Sequence, residues 1–253
     1  MATRDDRPAT PIATIGLALA VVAALAAASA GLGYRFGWWS LETGFGLVRY
    51  GAYGAIAAVA VSALALVLAR PGGRRRGLYR ALAGLVIGAV TFGVPWTYLR
   101  TAHRVPPIHD ISTDTENPPP FVAILPLRAG AQNPPDYGGE QVATQQRAAF
   151  PAIKPVSSRL PPDRTFALAL ATAEDQGWEI VAAIPAEGRI EATDTTFWWG
   201  FKDDVVIRIR PEDSGSRLDI RSTSRVGIGD LGTNAARIEA FLQDFEPQTE
   251  AGG

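Results

Sequence analysis

Ile12-Ala13-Thr14-Ile15-Gly16-Leu17-Ala18-Leu19-Ala20-Val21-Val22-Ala23-Ala24-Leu25 opens a run that continues without a charge to Leu32. About 20 such residues, at a rise of 1.5 Å each, cross the hydrocarbon core of a bilayer. Two further uncharged runs follow at 50–69 and 81–99, the first with Gly51 and Gly54 near its start, the second with Pro95 and Trp96 near its end. A soluble helix of this length would carry a polar stripe, and these runs have none. Residues 1–100 are therefore expected to be a transmembrane region with three spans, at 12–32, 50–69 and 81–99. A cleaved signal peptide is the competing reading of the first run, since Arg4 and Arg7 precede it and Ala28-Ser29-Ala30 resembles a cleavage site. Its length, and Asp5 and Asp6 before it, argue for a retained span.

Orientation follows from the basic residues, because Lys and Arg in short loops stay on the cytoplasmic side. Arg70, Arg74, Arg75, Arg76 and Arg80 lie between the second and third runs, whereas the first connection, 33–49, holds only Arg35 and Arg49. The expected topology is an integral inner (cytoplasmic) membrane protein with a cytoplasmic N-terminus and an extracytoplasmic, periplasmic C-terminal domain. Trp38 and Trp39, with Tyr34, Tyr50 and Tyr53, suit the membrane–water interface, although packing at a hairpin end would also explain them.

Residues 1–100 hold ten arginines against Asp5, Asp6 and Glu42, a net of +7, and the remaining 14 basic and 22 acidic residues leave −8. So acidic a soluble part lacks the basic footprint of a nucleic-acid binder, and the expected partner is the lipid bilayer, with an anionic small molecule, lipid headgroup or envelope protein as further candidates. The chain has no cysteine and only two histidines, His103 and His109, which excludes thiol chemistry and leaves no multi-ligand metal centre or cofactor to expect.

Residues 101–120 carry five prolines and read as an extended strap, which the specific side chains of Ile108-His109-Asp110-Ile111-Ser112-Thr113-Asp114 suit for packing along the domain. A helix is expected at 139–149 and another at 164–176, with Asp163 as its N-cap. Strands are expected at 178–184, 189–195, 203–210 and 217–224, and short connectors make them antiparallel neighbours. Val205, Ile207 and Ile209 then face one way and Arg208 and Arg210 the other. A last helix at 233–245 presents Ile238, Phe241, Leu242 and Phe245 on one face, and 247–253 reads as a disordered tail. The fold class is α+β: a three-helix transmembrane region, then a domain over 121–246 with an antiparallel meander covered by helices.

The strap sequence, the Phe150-Pro151-Ala152-Ile153 turn, Gly177-Trp178, the strand Asp203-Asp204-Val205-Val206-Ile207-Arg208, and above all the stretch from Arg221-Ser222-Thr223-Ser224-Arg225 through Gly227, Gly229, Asp230 and Gly232 to Arg237-Ile238 resemble the DUF1499 family. The resemblance covers roughly 105–246. It implies a fold and no reaction, because that family is a domain of unknown function found alone or behind membrane segments.

The terminal pattern admits three readings. Arg221, Arg225 and Arg237 would pair with Asp203, Asp204, Asp219 or Asp230 and fix a strand-to-helix corner. Alternatively they would take an anion at the helix N-terminus, with Ser222, Ser224, Asn234, His109 and Asp110 lining the site. In the third reading, an envelope hydrolase or transferase uses Asp203, Asp230 and His109, although no spacing demands it. A non-enzymatic binding or envelope-associated module is the expected activity, with a purely structural membrane protein also open. Trp198 and Trp199, in an aromatic segment between two strands, would either touch membrane or a hydrophobic ligand, or plug the gap between sheet and helix.

Overall fold

The computed structural model describes residues 10–69 and 76–251, with the backbone alone from 247. Arg4 and Arg7, on which the signal-peptide comparison rests, and Arg70, Arg74 and Arg75, most of the basic loop, lie outside the described residues. Two compact units form, 1–100 with 198–200, and 101–197 with 201–253.

The first unit holds α1 (Pro11–Arg35), α2 (Leu41–Ala69) and most of α3 (Leu78–Ala102), each long and apolar enough to cross a membrane. Lipid tails are as apolar as leucine, so such helices associate through small residues that admit close backbone approach. A Cβ added at Gly16 or at Gly84 would come within 2.5 Å of Ser62 Oγ, so α1, α2 and α3 converge on this serine. α2 starts well before the expected residue 50, since Ser40 Oγ accepts the Thr43 N–H at 3.3 Å and begins the helix. Glu42 and Arg49 hide that first part from any search for uncharged runs. Trp39 Nε1 donates to the Ala30 carbonyl at 2.9 Å, and Trp38 remains 68% exposed. Trp198 donates to the Ala28 carbonyl at 2.9 Å, and the Trp199 ring lies 5.0 Å from Phe45 and 6.2 Å from Tyr34.

The second unit is a six-stranded antiparallel sheet: β1 (Asp110–Ser112), β2 (Val156–Ser158), β3 (Glu179–Ile184), β4 (Arg189–Thr195), β5 (Lys202–Glu212) and β6 (Gly215–Ser224). Its order is β1-β6-β5-β4-β3, with β2 also paired to β6. The expected meander is β3 to β6. Part of the strap becomes the edge strand β1, with Asp110, Ile111 and Ser112 opposite Thr223, Ser222 and Arg221.

α4 (Gly139–Ala149), α5 (Pro162–Asp175) and α6 (Thr233–Ala251) complete the unit. Asp163 is not the cap of α5: the helix begins at Pro162 behind Pro161, because a proline at the first helical position costs no hydrogen bond there. α6 continues past Phe245 to Ala251, where a disordered tail over 247–253 was expected; residues 252–253 lie outside the described ones.

Alternation along the strands gives the sheet two unlike faces. Val205, Ile207, Ile209, Leu218 and Ile220 meet Phe166, Ala169, Ile238, Phe241 and Phe245 in one apolar core. Each fully buried side chain of this kind contributes about 1.5–3 kcal/mol. Trp178 stacks on Phe241 at 5.5 Å within this core, the place that one of the two readings gave to Trp198 and Trp199. The opposite face carries Asp204, Val206, Arg208, Asp219 and Arg221, and the irregular chain of 113–135 lies over it.

Candidate functional site

Adjacent aspartates on β5 point to opposite faces, so Asp203 and Asp204 anchor two separate networks. On the helix side, Arg237 of α6 reaches Asp203 at 2.7 Å and Asp194 at 2.7 Å. Its remaining donors go to Ser222 Oγ at 3.1 Å and Asn234 Oδ1 at 2.6 Å. Asn234 in turn donates to Ser224 Oγ at 2.9 Å and to the His109 carbonyl at 3.0 Å. One guanidinium thus ties α6, β4, β5 and β6 together and meets two carboxylates.

On the other side, Asp204 is fully buried and receives two guanidinium groups, from Arg128 at 2.6 Å and from Arg225 in a two-pronged pair at 2.9 and 2.7 Å. Thr193 Oγ1 also donates to it at 2.8 Å. This node carries one more positive than negative charge. Among the described residues, Arg128 Nε and Thr223 Oγ1 are buried with no hydrogen-bond partner, and Thr223 is the β6 residue paired with Asp204.

Next to it Arg221 grips Asp110 at 2.9 and 2.6 Å, with its cation 4.9 Å from the Phe121 ring and 5.5 Å from that of Tyr137. Burial pushes the Asp110 carboxyl up from its ordinary value, against the opposing pull of Arg221. Tyr137 is pushed up by the same cause.

The N-terminus of α6, the place of an outside anion in one of the three readings, is capped by the chain itself. Asp230 Oδ2 accepts the Asn234 N–H at 2.7 Å and Oδ1 the Gly232 N–H at 2.9 Å. Burial raises its carboxyl above the ordinary value of 3.8, and the two backbone N–H groups oppose that rise. His109 Nδ1 lies 3.1 Å from the Ile228 carbonyl. The residues of the hydrolase reading are thus engaged separately, Asp203 in an ion pair, Asp230 in a helix cap and His109 in a loop contact. No three of His, Asp and Glu among the described residues are placed to hold a metal ion.

A family model matches the part of the chain that forms this sheet and its helices. The model for a protein of unknown function (DUF1499) matches residues 110–245. The chain belongs to the DUF1499 family. No curated protein matches it.

Four residues of this DUF1499 domain escaped the sequence reading. Arg128 and Asn133 sit in the loop-rich stretch, with Asn133 donating to the Ser224 and Gly227 carbonyls at 3.1 and 2.8 Å. Glu191, fully buried, accepts the N–H groups of Val122, Ala123 and Ile124 at 2.9–3.1 Å and pairs with Arg189. Asp194 could have been found, since pairing β4 with β5 sets it opposite Asp203. For the other three the deciding partners, Asp204 for Arg128, Ser224 and Gly227 for Asn133, and 122–124 for Glu191, lie far away in sequence.

Proposed function

We propose that this DUF1499 protein is a non-enzymatic module, anchored by three spans with its domain outside the cytoplasm, that binds a small anion at the Asp204 node. The observation that carries the binding reading is a buried charge imbalance: two guanidinium groups face one carboxylate, with Arg128 Nε and Thr223 Oγ1 unpartnered. Buried cations without full compensation are expensive, and an oxyanion of phosphate or carboxylate type supplies both the missing charge and acceptors. Arg221 and Arg237, the other two candidates, already meet carboxylates of the chain. The basic residues between the second and third spans support the outward placement.

Thermal unfolding of the full chain in detergent with inorganic phosphate or succinate tests the binding reading. Stabilisation is expected in the native chain and its loss in Arg225→Ala; no shift, or an equal shift in the variant, rejects it. A pair of C-terminal reporter fusions, one active only outside and one only inside the cytoplasm, tests the placement separately.

A further inference from the structure

The geometry points to the loop 226–231 as a membrane-touching element that seats Ile228 among the headgroups of the bilayer in which the chain is anchored. Ile228 is 79% exposed at the tip of this loop, and Leu231 is 36% exposed beside it. Leu231 has φ 58, the one non-glycine residue with positive φ among those described, a conformation that a glycine would adopt at lower cost. A bulky apolar side chain is thus kept where backbone and solvent both disfavour it.

The loop does not hang free. Gly227 N–H donates to Gln132 Oε1 at 3.1 Å, the Gly227 carbonyl accepts from Asn133, and the Asp230 N–H donates to the Ile108 carbonyl at 3.1 Å. A Cβ at Gly229 would meet Pro107 Cα at 3.0 Å, so the loop lies directly on the strap. α3 ends at Ala102, and the five residue steps from 102 to 107 reach at most about 17 Å. By covalent connection alone, the strap residue on which the loop lies is within that distance of the last residue of α3. Arg100 and Arg104 are exposed along that same end and present cations to anionic headgroups. An exposed isoleucine, a leucine in a costly conformation and adjacent arginines, on a short tether to a membrane helix, are what an interfacial contact requires. The contact is independent of any anion at Asp204.

The absence of cysteine makes the test direct, because Ile228→Cys creates the single thiol of the chain. The full chain, labelled there with bimane, is reconstituted into phosphatidylcholine–phosphatidylglycerol vesicles containing lipid brominated close to the headgroup. Asp213→Cys, in the turn joining β5 and β6 at the far end of the sheet, is the reference. Bromolipid is expected to quench the label at 228 several-fold more than at 213. Equal quenching at the two sites overturns the proposal. Omitting phosphatidylglycerol is expected to weaken quenching at 228, and indifference to it removes the role of the arginines. The three spans keep every variant in the vesicle, and quenching is blind to which compartment the domain occupies, so failure here is distinct from failure of the reporter fusions.

Discussion

The two faces of the sheet are built from alternate residues of the same strands and solve different problems. The face toward α5 and α6 meets helices, whose backbone groups bond internally, and is packed mainly by apolar side chains such as Val205, Ile207 and Ile220, with the Arg237 ion pairs near the start of α6 as its charged part. The opposite face meets 113–135, a stretch whose only regular structure is a short 3-10 turn at Leu125–Arg128, so its buried backbone groups need outside partners. Charged side chains supply them. Arg221 donates to the Pro119 and Pro135 carbonyls, Arg208 to that of Asn117, Arg225 to that of Leu127, and Glu191 accepts from Val122, Ala123 and Ile124. The charged side chains of this face thus hold irregular chain against a sheet, and the Asp204 node is the place where they leave a positive charge over.

The sharpest way to break this comparison is to remove the centre of the ionic face. Asp204→Ala leaves Arg128 and Arg225 without a counter-charge, and breaking a buried pair this way costs about 3–5 kcal/mol. Urea unfolding of the full chain in detergent checks it; a loss below about 1 kcal/mol, the size of a surface pair, would show that the node is not a structural centre. Ile207→Ala on the apolar face is expected to cost about 2–5 kcal/mol through the cavity it leaves, without disturbing the amides of 122–124. Glu191→Gln keeps the shape and removes the charge, at a cost of about 1–3 kcal/mol. In hydrogen exchange, the amides of Val122, Ala123 and Ile124 are expected to lose protection while those of β5 keep theirs. Uniform loss would mean that the two faces are not separable.

A smaller effect concerns pH. The Asp230 carboxyl is raised in the folded chain above its ordinary 3.8, so as pH falls the folded state takes up this proton before the unfolded one. That contribution to stability is fully present below 3.8 and is lost as pH rises through the raised folded value. Asp230→Asn is expected to flatten the decline in stability over that window, and an unchanged slope would assign it to other groups such as Asp110. The smallest change is Leu231→Gly, which relieves the left-handed leucine and is expected to stabilise the domain by about 0.5–1 kcal/mol. Its thermal midpoint should rise while membrane contact of the loop weakens; a fall would show that the leucine packs more than it strains.

Much of this was legible beforehand, for reasons that vary by region. The three apolar helices could be read because crossing hydrocarbon demands a length and a composition that stand out in a sequence. The strands β5 and β6 could be read because Val205, Ile207 and Ile209 alternate with Asp204, Arg208 and Arg210, and Leu218 and Ile220 with Asp219 and Arg221. The strap as the edge strand β1 and the strand β2 were not legible, since three-residue strands carry too little alternation to register.

The three long apolar helices and the α+β class follow from periodicity and composition along the chain, and membership of DUF1499 from particular residues, above all those of 221–238. Which carboxylate each arginine meets is set by the packing in three dimensions. Asp110 and Arg221, Arg128 and Asp204, Asp203 and Arg237 are partners far apart in sequence. No local pattern chooses among them; the strand register and the path of 113–135 over the sheet do, because an ion pair is fixed by distance in space and not by spacing in sequence.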